Sequence, residues 1–149
     1  YGYNSILFSK IDIRLLQIKL GLSNLRSQIF KYNLSDNPFC PSCLLHVESV
    51  VHFFLECDVY SIIRVPMLLN ITKLFNAYAI IINGAGAHTR VPVKANIASV
   101  VVDGFPLSKD VSVIEGNMLP LIKEINVKLH IAVTDYMYNT LRFKPSVSS

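Results

Sequence analysis

The sequence lacks features that whole classes of protein need. It has no tryptophan, only three cysteines, and charged residues make up just 16% of its 149 residues. An odd number of cysteines with a single close pair does not provide the disulfide framework that is typical of small secreted domains. We therefore expect an intracellular protein, nuclear or cytoplasmic, whose cysteines stay reduced.

The chain also lacks an uninterrupted apolar run that reads as a membrane-spanning helix. The best candidate, residues 50–69, contains a histidine and several charged side chains, which are costly in lipid. The first five residues have no methionine and no charged region before an apolar run, so they resemble the middle of a longer protein and not a signal peptide. We predict no contact with a membrane.

Apolar residues are abundant. They make up 52% of the sequence, and the mean hydropathy is +0.43. This is enough for the core of one domain or two small ones, with apolar surface left over. Two explanations fit equally: the domain has a large core, or part of its surface packs against something else.

The net charge of +4 is unevenly distributed. Within residues 1–31, a single acid, Asp12, accompanies five basic residues, which are Lys10, Arg14, Lys19, Arg26 and Lys31. On a helix, Lys10, Arg14 and Gln17 share one stripe. A basic end of this kind permits contact with the phosphates of RNA or DNA, although a solvated helix face has the same composition.

The first third of the chain predicts two helices. The first covers residues 9–20, with Ser9 as its N-cap and Gly21 as its C-cap. The second runs from residue 23 or 24 to about 32, and it should bury three apolar residues, Leu25, Ile29 and Phe30.

The middle of the chain is harder to assign. Residues 48–55 predict a short helix, and 58–75 predict another, which Pro66 should kink or end near Val65. Two runs rich in branched residues come next, separated by Asn83-Gly84-Ala85-Gly86. A short β-hairpin within residues 78–102 is therefore an alternative for this part of the chain.

The last third predicts a long amphipathic helix. Asn117 can cap it, and Pro120 is tolerated in its first turn. Apolar residues recur at helical spacing on one face: Met118, Ile122, Ile125, Leu129, Val133, Tyr136 and Phe143. Glu124 and Lys128 on the other face form an i,i+4 pair.

The three cysteines and one histidine form the most specific pattern. Cys40 and Cys43 are followed by His52 and Cys57, a C-x2-C-x8-H-x4-C spacing that uses every cysteine in the chain. Four such ligands complete a tetrahedral zinc site and leave no open position for water or substrate, which predicts structural zinc and argues against hydrolysis at the metal. The alternatives are three buried free cysteines with a core histidine, or His46 in place of His52 with poorer spacing.

His52 and Cys57 cannot both reach one ion from a continuous α-helix. Five residues turn the helix by about 500°, which leaves the two side chains about 140° apart. We expect the helix to end before Cys57, or its last turn to be distorted. His52 should then lie on the helix, Cys57 at or just past its end, and Asp58 in a position to cap the next turn.

The residues around the cysteines resemble a known family. Three segments carry the similarity: 15–25, 34–43 and 48–57. The last segment ends in His-Phe-Phe-Leu-Glu-Cys and is followed by Tyr60 and Arg64. Together they resemble the C-terminal zinc-knuckle (CCHC) region of reverse transcriptases from non-LTR retrotransposons, the long interspersed elements. Residues 136–143 are similar to the helix that often closes those proteins. The resemblance implies that Cys40, Cys43, His52 and Cys57 are zinc ligands. It also implies that the region lies after a polymerase domain and helps to grip template RNA or target DNA.

The sequence thus predicts a mainly α-helical domain organised around the zinc knuckle. We expect a helical zinc-knuckle region at 1–75, a connecting segment at 76–114 and the C-terminal helix with its tail at 115–149. The predicted function is binding of RNA or DNA, without catalysis by this chain. Its candidate contacts are Lys10, Arg14, Gln17, Lys19, Arg26, Lys31 and Arg64. The alternative is a zinc-stabilised protein-interaction module, for example one that packs against the upstream polymerase domain of the same polypeptide.

Overall fold

A computed structural model of the chain describes residues 2–84, 92–106 and 118–143, with side chains from Lys10 onward. The described residues are mostly helical and include no strand, although Phe39 and Val47 form one antiparallel bridge. The helices are α1 (Gly2–Lys19), α2 (Arg26–Lys31), α3 (Ser61–Asn83), α4 (Lys94–Asp103) and α5 (Met118–Thr140), with a π-helical turn at His52–Glu56 and a 3-10 turn at Asp58–Tyr60. The predicted mainly helical class is confirmed.

The chain divides into two compact units. The first consists of Tyr1–Val65 together with Thr134–Ser149, and the second consists of Pro66–Val133. These limits do not coincide with the predicted boundaries at 75 and 115. The reason is that α3 and α5 each contribute residues to both units, and the end of α5 belongs to the unit that carries the cysteines.

Helix α1 ends as predicted but begins earlier. The backbone N–H of Leu22 donates to the carbonyl of Gln17 at 2.8 Å, and that of Gly21 donates to Ile18 at 3.1 Å. With φ of +74° at Gly21, this is a Schellman C-cap, which glycine favours because it has no Cβ. The predicted N-cap, Ser9, lies inside the helix, since α1 starts at Gly2.

Helix α2 is shorter than the sequence predicts, and it buries less. It spans six residues, Arg26–Lys31. Leu25 is fully buried as expected, but Ile29 is only half-buried and Phe30 is 45% exposed. Its start is held by Ser23, whose hydroxyl accepts a hydrogen bond from the Leu25 N–H at 3.1 Å. A helix of less than two turns has room for few core positions, so Phe30 stays outside.

Helix α3 departs most from the prediction, because it continues through Pro66 to Asn83. Proline lacks the N–H that would bond the carbonyl four residues earlier. That carbonyl belongs to Ile62, which is 85% exposed, so water can satisfy it. The missing bond is therefore not enough to end the helix at Val65.

The hairpin alternative for residues 78–102 is wrong within the described residues. Residues 78–83 form the last turns of α3, and residues 97–102 lie in α4. A short run of branched apolar residues is compatible with either a buried strand or a helix segment, so this pattern could not exclude a hairpin. Ala85 and Gly86, from the predicted turn, lie outside the described residues.

Because α3 is continuous, one described segment is long and apolar enough to cross a membrane by length and composition. It is Asp58–Asn83, and only 17% of its most apolar stretch is buried. The sequence prediction missed it because Pro66 was expected to interrupt the helix. A core helix can meet the same criteria, so they assign no membrane contact, and the predicted absence of such contact stays a prediction.

The core of the first unit is aromatic. Phe53 lies at the centre, with ring centroids 4.9 Å from Phe54, 5.6 Å from Tyr60, 5.4 Å from Tyr136 and 5.2 Å from Phe143. The Tyr136 hydroxyl donates to the backbone carbonyl of Phe53, and burial raises the pKa of Tyr136 well above its usual range, so it remains a donor. Tyr136 of the predicted inner face, together with Phe143 just after α5, therefore packs against the segment that carries the ligands.

The second unit packs apolar faces of three helices. Their buried residues are Met67, Ile71 and Leu74 in α3, Ile97, Val100 and Val101 in α4, and Ile122, Ile125 and Leu129 in α5. After α4, the Asn126 side chain accepts from the Phe105 N–H at 2.8 Å and donates to its carbonyl at 3.1 Å. Pro120 lies in the first turn of α5, and the exposed Glu124–Lys128 pair forms at 3.4 Å, both as predicted. Asn117, the predicted cap, lies outside the described residues.

We expect Tyr136→Phe to destabilise the protein by about 1–2 kcal/mol, because it leaves the buried Phe53 carbonyl without this donor. Tyr138 is on the same helix and half exposed, so Tyr138→Phe is the matched control and should change stability little. Denaturant unfolding of both variants measures the difference. Equal midpoints for the two variants would contradict the role of the Tyr136 hydrogen bond.

Candidate metal centre

The four predicted ligands lie together in the first unit. The ligand atoms of Cys40, Cys43, His52 and Cys57 are all within 4.8 Å of one another. The Sγ atoms of Cys40 and Cys57 are 3.9 Å apart, and Cys43 Sγ lies 3.5 Å from His52 Nε2. Three of the side chains are buried and Cys43 is half-buried. The cluster is compatible with a metal site.

A tight turn holds the first two ligands. The Cys40 N–H donates to the His46 carbonyl at 2.7 Å, and the Leu44 N–H donates to the Cys40 carbonyl at 2.9 Å. Leu44 adopts φ of +62°, a conformation that L-residues other than asparagine and aspartate rarely adopt. The Leu44 side chain is exposed, so no buried contact compensates for this strain. The turn therefore depends on the surrounding structure.

A π-helical turn solves the geometric problem of the other two ligands. Ser49 caps the segment, since its hydroxyl accepts from the His52 N–H at 3.0 Å. The Cys57 N–H donates to the His52 carbonyl at 2.8 Å, an i to i−5 bond that brings the fifth residue back to the same side. Cys57 then leaves the helix with ψ of 119°. Both expected features, a distorted last turn and a ligand just past its end, are confirmed.

Two expectations about neighbouring residues need correction. Asp58 does not cap the next turn, because it lies inside that turn and Cys57 occupies the N-cap position. Arg64, a predicted phosphate contact, is buried. Its Nε donates to the Phe54 carbonyl at 2.8 Å and its Nη2 to the Cys57 carbonyl at 2.7 Å. These carbonyls lie where the π turn ends, so the guanidinium stabilises the ligand segment and is not available to a phosphate.

Sequence reasoning missed a buried ion pair beside the ligands. The Glu48 side chain is 0% exposed and Arg142 is 14% exposed. Arg142 Nη2 donates to Glu48 Oε1 at 2.7 Å and Nε donates to Oε2 at 2.8 Å. The same carboxylate accepts from the backbone N–H of Arg26 at 2.8 Å and lies 3.9 Å from Cys40 Sγ. A separation of 94 residues leaves no local signal for this pair.

The electrostatic environment differs from ligand to ligand. Desolvation alone would raise the pKa of Cys43, but hydrogen bonds from the backbone of Leu45 and His46 outweigh it, and the pKa of this thiol is lowered. Burial raises the pKa of Cys57 to about 11. Burial also lowers the pKa of His52, which favours the neutral imidazole that a metal requires. The pKa of Cys43 is thus shifted toward the thiolate that a metal requires, and the pKa of Cys57 is shifted away from it.

His46 lies outside the four-residue cluster. Its ring is exposed and its centroid is 5.6 Å from that of His52. Its backbone, not its side chain, supports the turn through the bond from Cys40. The geometry therefore favours His52 over His46 as the fourth ligand.

The other predicted contact residues all belong to the first unit. Lys10, Lys19 and Lys31 are exposed, while the two arginines and the glutamine are partly buried. Arg14 Nη1 donates to Gln17 Oε1 at 3.3 Å, and Arg26 Nη1 donates to the Ser35 hydroxyl at 3.3 Å. These bonds engage single donors, so both guanidinium groups keep other N–H groups for a ligand.

We expect Leu44→Gly to stabilise the protein by up to about 1 kcal/mol, since glycine removes the cost of a positive φ while losing no buried side chain. Leu45 is exposed to a similar degree and has no positive φ, so Leu45→Gly is the control and should be neutral or destabilising. Thermal unfolding of the metal-loaded variants provides the comparison. A destabilised Leu44→Gly variant would show that the strained turn is not a cost to the fold.

Comparison of the chain with protein-family models, with curated proteins and with solved structures found no match. The similarity to retrotransposon reverse transcriptases therefore rests on the sequence segments around the cysteines, and it stays a prediction. What the fold itself establishes is a compact cluster of three thiols and one imidazole within a helical unit.

Proposed function

We propose that the first unit is a zinc-stabilised module that binds nucleic acid and has no catalytic role by itself. The observation that carries the zinc assignment is the spacing of the ligand atoms. Around a tetrahedral zinc ion, with Zn–S of about 2.3 Å and Zn–N of about 2.0 Å, ligand atoms are about 3.5–3.8 Å apart. The Cys40–Cys57 and Cys43–His52 pairs, at 3.9 Å and 3.5 Å, are near these values.

The donor set also favours zinc and a structural role. Three thiolates and an imidazole suit zinc better than calcium or magnesium, which prefer oxygen ligands. Four protein ligands fill the tetrahedron and leave no position for a reactive water. When bound, the ion would hold together the turn at Cys40 and Cys43 and the π turn at His52, and such sites contribute on the order of 10 kcal/mol to apparent folding free energy.

Exposed cations and aromatic rings in the same unit support binding of nucleic acid. Lys10, Lys19 and Lys31 offer charge to phosphates. Phe30, Tyr32 and Phe39 are each close to half exposed, and aromatic faces of this kind stack on unpaired bases. Arg64 is not included in this surface, because its guanidinium is buried.

A protein-interaction module is the second candidate, and one observation favours it. Many large apolar side chains of the first unit are exposed, including Leu34, Leu44, Leu45, Ile62 and Val65. An exposed apolar surface of this kind is typical of a domain that another protein covers. An upstream polymerase domain of the same polypeptide is the partner that the sequence resemblance proposes. The intracellular location stays a prediction from cysteine usage.

We expect one zinc ion per purified chain by elemental analysis, and loss of both zinc and cooperative unfolding in Cys43→Ser. His52→Ala should also lose zinc, because it removes one of four ligands. His46→Ala is its matched control, since this neighbouring histidine lies outside the cluster, and it should keep one zinc. A fully folded wild-type protein without metal would sink the zinc assignment, and loss of zinc in His46→Ala alone would reassign the fourth ligand.

We expect affinity for a single-stranded RNA or DNA oligonucleotide to fall with salt, with a slope of log K against log salt whose magnitude is at least about two. The Lys10→Gln/Arg14→Gln variant should bind more weakly and lower the magnitude of the slope by about one to two. Lys123→Gln, an exposed lysine of the second unit, is the control and should bind as the wild type does. Fluorescence anisotropy at several salt concentrations gives both quantities.

The same purified proteins distinguish nucleic-acid binding from protein interaction as the function. Binding that does not depend on salt would argue against phosphate contacts as the source of affinity. Stable self-association in analytical ultracentrifugation, with no binding to either oligonucleotide, would favour the protein-interaction module. Neither result affects the zinc assignment, which is measured separately.

A further inference from the structure

The buried Glu48 carboxylate poses a charge problem when a metal is bound. It lies 3.9 Å from Cys40 Sγ, and a metal-bound cysteine is a thiolate. Two anions would then be adjacent in a buried site, where like charges repel strongly.

Arg142 is the cation that faces this carboxylate. It meets Glu48 side-on through two hydrogen bonds of 2.7 Å and 2.8 Å. It also donates to the Asn24 carbonyl at 2.7 Å, so the guanidinium is held in place by a second segment. The planar fork of arginine matches a carboxylate in a way that a lysine cannot.

We propose that Arg142 is a positioning residue of the metal centre: it neutralises Glu48 beside the Cys40 thiolate and so couples metal binding to the position of the segment that follows α5. The inference rests on the metal part of the proposed function, not on nucleic-acid binding. Coupling of this kind is reciprocal, so the bound metal also stabilises the contact between Arg142 and Glu48. Residues that surround and support metal ligands commonly change metal affinity by about 10- to 100-fold.

Zinc affinity, measured by competition with a chromophoric chelator, tests the proposal. Arg142→Gln should weaken affinity by about 10- to 100-fold. Adding Glu48→Gln to it should restore most of the loss, because the double variant has no uncompensated carboxylate. Arg142→Lys, which keeps the charge, should bind more tightly than Arg142→Gln. Lys123→Gln, at an exposed lysine of the second unit, is the control for a lost positive charge and should leave zinc affinity unchanged.

The sign of the double-variant effect decides the question. If Arg142 only fastened the chain end, removing Glu48 as well would not rescue metal binding, so a double variant that binds as weakly as Arg142→Gln overturns the proposal. Should Arg142→Gln fail to fold, near-wild-type metal binding by the double variant supports it, and an unfolded double variant overturns it. Unchanged zinc affinity in Arg142→Gln would refute the charge compensation by Arg142 but leave the metal centre standing. A wild-type protein that binds no metal would refute both the metal centre and this inference.

Discussion

The buried Glu48–Arg142 ion pair is the interaction on which the first unit depends. One carboxylate accepts hydrogen bonds from the start of α2 and from Arg142, and it lies against Cys40. A fully buried carboxylate without such partners would be expensive, and removing a single partner from a buried pair is far more destabilising than the pair is stabilising. This one side chain therefore ties the ligand turn, α2 and the end of α5 into one arrangement.

The π turn shows how the backbone adapts to a ligand spacing that a regular helix does not allow. An i to i−5 bond between Cys57 and His52 aligns the two ligands. Arg64 donates to the carbonyls of Phe54 and Cys57, where the π turn ends. The aromatic cluster around Phe53 packs against the same segment. The ligand positions are thus set by hydrogen bonds and packing that lie outside the ligand set itself.

Local patterns predicted some parts of this fold well and others badly. Gly21 as a C-cap, the apolar face of α5 and the ligand geometry at Cys57 came from rules that act over a few residues. The predicted helix end at Pro66 was wrong because the cost of a lost hydrogen bond depends on the exposure of the carbonyl. The predicted hairpin at 78–102 was wrong because short apolar runs fit both a helix and a strand. Two side chains differ from the expectation in burial: the apolar Phe30 is exposed, and the charged Arg64 is buried.

The sequence by itself determined the four-ligand cluster, since the identity and spacing of Cys40, Cys43, His52 and Cys57 already meet the requirements of a tetrahedral ion. It also determined the helical class, because apolar periodicity is a local property. Only the tertiary structure showed that Arg64 is buried and bonded to backbone carbonyls, whereas Arg14 and Arg26 are partly exposed. It alone joined Glu48 to Arg142, because a contact between residues 94 positions apart is chosen by burial and charge compensation, neither of which a local pattern records.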